Sequence, residues 1–161
     1  MKSRPRKPAA PISVENQIFV AILKTADALG QQAEQVLRPA GLTGAQYNVL
    51  RILRGAEPEG LPCRGIGDRM ISHDPDITRL LDRMEKRGLI TRERQTEDRR
   101  VVKTRVTSQG LALLKTLDQP VRELHKRQFR HMSAARLKAL AGLLEEIGAR
   151  DPDNEFLGPS F

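Results

Sequence analysis

The sequence lacks the features of two large classes of protein, disulfide-rich secreted proteins and membrane proteins. Its only cysteine is Cys63, so it can form neither an internal disulfide nor a cysteine-rich metal site, which fits a reducing compartment. No apolar run approaches the roughly 20 residues that cross a bilayer. The basic first residues are not followed at once by an apolar segment, as they would be in a secretory signal. We therefore expect a cytoplasmic protein with no membrane partner.

Residues that carry catalysis or hold a cofactor are also scarce. The chain has three histidines, no glycine-rich phosphate loop and no nucleophile placed beside a base, so we expect no catalytic residue and no cofactor. His125 and His131 are separated by about 600° around a helix, so they cannot share a face as metal ligands would. His73 beside Asp74 is better explained as part of a turn. We expect neither an enzyme nor a metal site.

The positive charge of the chain is concentrated in two segments. Of the net charge of +8, residues 1–11 contribute +4 through four basic side chains and no acid. Residues 64–105 contribute another +4, with 12 Lys or Arg against 8 Asp or Glu. Concentrated basic segments are typical of proteins that contact phosphate. A ribosomal or membrane-surface protein would show a similar total, so charge alone does not decide the partner.

Hydrophobic periodicity and capping residues predict a largely helical chain. The predicted helices are 13–37, 43–54, 64–70, 75–87, 107–124 and 133–147, with caps at Ser13, Thr43, Asp74, Thr107 and Ser133. The third of these is short and contains two glycines, so we expect it to depend on its neighbours. The leucine stripes of the last two helices predict core or dimer surfaces.

The fourth helix is the most clearly defined. Asp74 is the expected N-cap, Pro75 stands at the first helical position, and Gly88 ends the helix. An apolar stripe at i, i+3, i+4 and i+7 consists of Ile77, Leu80, Leu81 and Met84. The opposite side carries the charged residues Asp76, Arg79, Arg83, Lys86 and Arg87.

A β-hairpin is predicted after this helix because the period changes to two. Residues 89–94 and 101–106 are rich in β-branched side chains, and Val102, Thr104 and Val106 alternate with Lys103 and Arg105. The six polar residues 95–100 between the strands would form a charged tip.

A short helix, a turn, a capped basic helix and a basic hairpin together have the order of a winged helix-turn-helix. The fourth helix could place Arg79 against guanine in the major groove, with shorter contacts from Thr78 and Asp76. Arg99 and Arg100 at the hairpin tip would reach the minor groove. RNA is less favoured, because the few aromatic residues lie outside the hairpin. The candidate DNA-binding residues are His73, Pro75, Asp76, Thr78, Arg79, Arg83, Asp98, Arg99, Arg100 and Lys103.

Residues 42–114 resemble the MarR (multiple antibiotic resistance regulator) family. The resemblance rests on LTGAQYNVLRIL at 42–53, DITRLLDRMEKRGLITR at 76–92, EDRR at 97–100 and VTSQG at 106–110. It implies a mainly helical homodimer that reads palindromic double-stranded DNA as a transcription regulator, often a repressor. It also implies that Arg100 enters the minor groove, that Asp98 holds the shape of the wing, and that a small phenolic or other anionic effector binds between the dimer helices and the DNA-binding lobe.

The resemblance also implies a domain organisation. Residues 12–148 would form one domain, in which 42–106 is the winged helix-turn-helix and 13–38 and 107–148 are dimerisation helices. The basic residues and prolines of residues 1–11 themselves predict a disordered arm there, and 149–161 would be a tail. The chain departs from the family in its short helix, which begins Arg64-Gly65-Ile66-Gly67. It also lacks the first-helix cysteine of the peroxide-sensing branch, so a redox role for Cys63 is not indicated.

Other interpretations remain open at the level of sequence. The basic residues of 79–87 could form only a solvated helix face with pairs such as Asp82–Lys86, and the arginines of the hairpin tip could serve solubility alone. The principal alternative is a non-catalytic winged-helix module that acts in DNA architecture or protein interaction without reading sequence.

Overall fold

A helical framework around a small sheet is seen in a computed structural model of the chain, which describes residues 13–72, 76–94 and 102–149. The helices are α1 (Val14–Leu37), α2 (Gly44–Gly55), α3 (Cys63–Gly67), α4 (Ile77–Lys86), α5 (Ser108–Phe129) and α6 (Ala134–Ala149), with a 3₁₀ turn at Arg38–Ala40. The strands are β1 (Leu61–Pro62), β2 (Ile90–Arg94) and β3 (Val102–Val106). The predicted fold class, mainly helical with a β-hairpin, is confirmed.

Side-chain caps begin four of the helices where the sequence predicts them. The hydroxyl oxygens of Ser13, Thr107 and Ser133 accept from the backbone N–H three residues on, over 3.3, 3.0 and 3.4 Å. Thr43 forms a full capping box with Gln46, in which each side chain accepts from the other residue's backbone N–H. These bonds satisfy N–H groups that the first turn of a helix leaves without a partner.

The start of α4 differs from the prediction. The N-cap position is held by Asp76, not by Asp74, and the Asp76 side chain makes no capping hydrogen bond. The reason is the backbone of Asp76, whose φ of −123° and ψ of 43° lie outside the helical region, so the helix cannot continue back through it. Residues 73–75 lie outside the described part of the chain.

The short helix α3 also ends earlier than predicted, at Gly67 instead of residue 70. The chain continues as a turn in which Asp68 N–H donates to the Arg64 carbonyl over 2.9 Å and Met70 N–H donates to the Gly67 carbonyl over 3.2 Å. The glycines of this helix lie next to neighbouring side chains, and the space at Gly67 would accept a Cβ in ordinary van der Waals contact. A Cβ on Gly67 would lie 3.5 Å from the Ile77 side chain of α4.

The sheet is antiparallel with the order β1-β3-β2. The predicted hairpin is confirmed, with Ile90 opposite Val106 and Arg94 opposite Val102. The short strand β1 pairs Leu61 with Thr104 and is not predicted by the sequence, because two residues are too few to show a period. Since β3 lies in the middle, β2 is an edge strand of the sheet.

The core lies between α2, α4, α5 and the sheet. The predicted apolar stripe of α4 faces it, and Leu80, Leu81 and Met84 are buried there beside Leu50 of α2 and Leu114 of α5. Among residues 13–72, 76–94 and 102–149, no helix is both long and apolar enough to cross a membrane. The predicted basic arm and most of the tail lie outside these ranges.

Candidate nucleic-acid interface

One face of α4 is turned away from the core. Thr78, Arg79, Arg83 and Lys86 are all exposed, because the buried stripe of the helix fixes which side meets solvent. Arg79 Nε lies 3.2 Å from Asp76 Oδ2, and the two side chains are 77% and 51% exposed. An ion pair this exposed contributes little stability. Arg79 can therefore exchange it for a contact with a base or a phosphate.

The turn that leads into α4 is held by a buried amide. Asn48, on α2, is buried, and its Oδ1 accepts from the backbone N–H of Ile71 over 2.9 Å. A polar side chain is rarely buried without such a bond. This contact is not predicted above, although a lone asparagine between Tyr47 and Val49 in an apolar stripe is a signal of a buried polar contact.

The far end of α4 is closed by a Schellman motif. Gly88 has a φ of +69°, its N–H donates to the Glu85 carbonyl over 2.8 Å, and the Leu89 N–H donates to the Met84 carbonyl over 3.1 Å. This is the arrangement in which glycine is favoured after a helix. The predicted end of the helix at Gly88 is confirmed.

Arg87 is exposed, as the sequence predicts, but its guanidinium has hydrogen-bond partners elsewhere in the chain. Its Nη1 donates to the Gly41 carbonyl over 2.8 Å and to Gln46 Oε1 over 3.2 Å. The periodicity could not distinguish it from Arg83, which lies one turn earlier. Arg87 instead ties the end of α4 to the turn between α1 and α2.

The hairpin of β2 and β3, here called the wing, is joined to α4 by Arg92 of β2. Arg92 Nη2 lies 2.6 Å from both Asp82 Oδ1 and Glu85 Oε2. The hydrogen bond with Glu85, and then the Asp82 carboxylate, raise the pKa of the Arg92 guanidinium against the opposing effect of burial. Asp82 therefore forms its ion pair with Arg92 of the wing. The suggested pair of Asp82 with Lys86 is not seen among the ion pairs of the described residues. No sequence pattern signalled this cluster.

The base of the wing is joined to α5 at two points. Thr107 Oγ1 donates to the Gly88 carbonyl over 2.7 Å, while the Thr107 N–H donates to the Leu89 carbonyl over 3.1 Å. Gly110 permits the close approach, because a Cβ there would collide with the Leu89 carbonyl oxygen and would lie 2.8 Å from Val106 Cγ2. The motif VTSQG thus fixes β3 and α5 against the end of α4.

The structure brings together only part of the predicted site. Asp76, Thr78, Arg79 and Arg83 lie along the exposed face of α4, whereas Lys103 lies on β3, half-buried and opposite Glu93 of β2. The other predicted residues, His73, Pro75, Asp98, Arg99 and Arg100, lie outside the described residues. Within the described ranges, no group of three or more His, Cys, Asp or Glu side chains could hold a metal ion.

Comparison with known proteins identifies the family. The model of the MarR family matches residues 42–102, the stretch that holds α2, α3, α4 and β2. The organic hydroperoxide resistance transcriptional regulator of Bacillus subtilis is 34% identical over 104 residues, which are 65% of this chain and 69% of that protein. The chain belongs to the MarR family. It is therefore related to DNA-binding transcription regulators.

Another relative is named a repressor. The homoprotocatechuate degradative operon repressor of Escherichia coli is 26% identical over 134 residues, covering 83% of this chain and 89% of that protein. Cys63 of this chain stands at the start of α3 and not in α1.

Solved MarR structures share the fold. A MarR transcription factor from Planctomyces limnophilus is 41% identical, with a TM-score of 0.65 over 83% of this chain and 97% of that one. A MarR mutant from E. coli in complex with operator DNA is 24% identical, with a TM-score of 0.75 over 84% and 99% of the two chains. BpsR of Bordetella bronchiseptica is 20% identical, with a TM-score of 0.77 over 88% and 100%. The last two show similarity of fold alone.

Proposed function

We propose that this MarR-family protein is a cytoplasmic, sequence-specific repressor that binds a near-palindromic operator as a homodimer and is released by a small-molecule effector. The observation that carries the proposal is the presentation of α4. Its apolar stripe is buried, its C-terminal end is tied to neighbouring elements through Arg87 and Gly88, and Thr78, Arg79 and Arg83 remain exposed on one face. A rigidly held helix with exposed basic residues fits the major groove of B-DNA. The proposal requires no catalytic step.

The proposed contacts differ along the interface. Arg79, close to the N-terminus of α4, is the residue best placed to donate two hydrogen bonds to guanine. Arg83, one turn later, and Lys103 on β3 would contact phosphates, which position the protein without reading sequence. Arg99 and Arg100 retain their proposed role in the minor groove, where guanidinium groups are attracted to narrow A·T segments.

The dimer is proposed because two helices leave apolar side chains in solvent. On α1, Phe19 is 61% exposed and Leu23 is 54% exposed, and on α6, Leu143 and Ile147 are each 59% exposed. A monomer rarely exposes contiguous apolar surface of this extent. Association of two chains through residues 14–37 and 111–147 would cover both stripes and present two α4 helices to the two halves of a palindrome.

An effector pocket is proposed at the junction of α5 with the DNA-binding lobe. A cavity of about 410 Å³ opens there, which is within the range of ligand sites. Its lining consists of Ala40, Arg87, Leu89, Gln109, Ala112, Leu113 and Thr116. A largely apolar wall with one guanidinium favours a small aromatic anion, and the DNA binding of BpsR is regulated by 6-hydroxynicotinic acid.

The proposed release acts through Arg87. An anion in the pocket would compete with the Gly41 carbonyl and Gln46 Oε1 for the Arg87 guanidinium. The end of α4 would then lose its tie to the turn between α1 and α2, and the two reading helices would leave the spacing that DNA requires. A screen of aromatic acids for release of bound DNA tests this step. Arg87→Gln should abolish the response to an active compound, whereas Arg51→Gln, on the exposed side of α2, should not.

The central experiment is selection of bound sequences from a random DNA pool. We expect enrichment of a site with dyad symmetry and half-sites about 10 base pairs apart, bound roughly 10³–10⁷ times more tightly than random DNA. If the protein binds all DNA sequences equally, with an affinity that depends only on the salt concentration, it is an architectural module. The proposal would then be wrong.

A further inference from the structure

A cluster around Arg92 joins α4 to the wing. Arg92 Nη2 contacts both Asp82 Oδ1 and Glu85 Oε2 at 2.6 Å, and Arg92 Nε donates to Glu85 Oε2 over 2.9 Å. Asp82 and Glu85 are three residues apart, so both carboxylates lie on the side of α4 that faces β2. A planar guanidinium that donates to two carboxylates from two nitrogens has a defined orientation.

The backbone of β2 takes part in the same cluster. The N–H of Arg92 donates to Glu85 Oε1 over 3.1 Å, so Glu85 uses one oxygen for the strand and the other for the side chain. Because β2 is an edge strand, this N–H points away from β3 and would otherwise meet water. Glu85 therefore fixes the strand as well as its arginine, and the helix lies along the free edge of the wing.

The ion pairs of Arg92 are less exposed to water than the pair of Arg79 with Asp76, although Asp82 and Glu85 are 43% and 37% exposed. The Arg92 side chain is 26% exposed, against 77% for Arg79 in its pair with Asp76. A pair that is partly shielded from water is screened less by salt than a fully exposed pair. Without Arg92, two carboxylates would stand beside the basic face of α4.

We infer that Arg92 is a positioning residue that sets the placement of the wing relative to α4, and with it the distance along DNA between the bases read in the major groove and the flank touched by the wing. The inference rests on the proposed function in its consequence for DNA, but its structural part concerns this chain alone. Arg92 itself touches no DNA in this scheme and acts through Asp82 and Glu85.

The structural part is tested by a distance measurement on the protein without DNA. Spin labels are attached through Arg83→Cys on α4 and Thr91→Cys on β2, in a Cys63→Ser background, and labelled chains are diluted with unlabelled protein. We expect a narrow distance distribution that broadens when Arg92→Gln is added. Arg94→Gln removes the same charge from the same strand and should leave the distribution narrow. An unchanged distribution in Arg92→Gln overturns the inference, whether or not the protein reads DNA.

Selection from a random pool then tests the consequence for DNA. DNA sites selected by Arg92→Gln should keep the bases preferred by α4 but should no longer have flanking bases at a fixed distance from them. The affinity for DNA should be lowered roughly 10- to 100-fold. Arg92→Lys keeps the charge but not the paired geometry. It should therefore restore the preference for flanking bases only in part. If Arg92→Gln selects flanking bases as strongly as the unchanged protein does, and at the same distance from the bases read by α4, the inference is wrong.

A second variant covers the case in which Arg92→Gln does not fold. Glu85→Gln leaves Asp82 to pair with Arg92 and should broaden the same distance distribution to a smaller extent, with the fold checked by circular dichroism. A narrow distribution in a folded Glu85→Gln protein overturns the inference. Absence of any selected site in the unchanged protein would instead contradict the proposed function, so the two failures are distinguishable.

Discussion

The hydroxyl of Thr107 donates to the carbonyl of Gly88 over 2.7 Å and thereby joins the first residue after the wing to the glycine that follows the end of α4. The same oxygen accepts from the Gly110 N–H and caps α5. One side chain thus connects the helix proposed to read DNA with the helix proposed to form the dimer.

We predict that Thr107→Val lowers the free energy of unfolding by about 1–3 kcal/mol, because it removes an N-cap and a half-buried hydrogen bond at constant shape. Thr107→Ser keeps the hydroxyl and should lose less than half of that amount. Urea unfolding followed by circular dichroism measures both. Equal stability of the valine and serine variants would show that the hydroxyl does not contribute.

Gly110 should tolerate no side chain. Its absent Cβ leaves room for the Leu89 carbonyl and Val106 Cγ2, and backbone cannot move away as a flexible side chain could. Gly110→Ala should therefore cost about 1–3 kcal/mol by overpacking. The matched control is Gly55→Ala in α2, where a Cβ would meet nothing within 4 Å and where alanine should be neutral or slightly stabilising. Thermal melting of the two variants in parallel checks the difference in sign.

Arg79→Ala should remove about 1–3 kcal/mol of specific DNA binding and relax the preference at one base pair in each half-site. The physical reason is the loss of a bidentate contact that only the correct base can satisfy. Arg51→Ala, on the exposed side of α2, removes the same charge away from the proposed interface. Selection from a random pool reads out both variants, and an Arg79→Ala protein with unchanged sequence preference would mean that α4 is not the reader.

Leu144→Glu should weaken the dimer and, through it, DNA binding. Leu144 is 46% exposed on the apolar stripe of α6, so a charge there costs little in a monomer but would have to be desolvated in a dimer. Light scattering at micromolar concentration should show a shift toward monomer, which Glu145→Lys on the same helix should not produce. A fully monomeric unchanged protein would refute the proposed assembly directly.

Deleting residues 1–11 should flatten the dependence of DNA affinity on salt. The segment carries four basic side chains and no acid, and each phosphate contact contributes to the slope of log affinity against log salt. Sequence preference should remain, because phosphate contacts carry no base information. Titrations at several salt concentrations measure the slope, and an unchanged slope would exclude the arm from the interface.

The parts of the fold that the sequence predicted are those decided by neighbours in the chain. Caps such as Ser13 and Thr107, the glycine end of α4 and the hairpin all depend on residues within a few positions, so a local pattern contains the information. The position of the α4 cap was wrong because two aspartates, Asp74 and Asp76, could each begin the helix. Only the backbone angles of Asp76 distinguish them.

The parts that the sequence could not supply depend on contacts between distant or differently patterned elements. Glu85 lies on a helix and Arg92 on a strand, and the two elements have different hydrophobic periods. Neither a helical nor a strand pattern could therefore predict that these two residues pair. Arg87 follows Arg83 at helical spacing and was grouped with it, yet its partners Gly41 and Gln46 come from another part of the chain. The candidate readers on α4 were predicted because burial of the apolar stripe leaves only one face for them.

The bond between Asn48 and Ile71 has a consequence for how this protein and its descendants can change. Its donor is the backbone N–H of Ile71, which every residue except proline provides, and the Ile71 side chain is 79% exposed. Substitutions at position 71 should therefore cost little stability, whereas position 48 must keep a side-chain hydrogen-bond acceptor of the same length. Position 71 is thus open to new side chains close to the helix proposed to read DNA, and such changes would alter that surface without the scaffold being rebuilt.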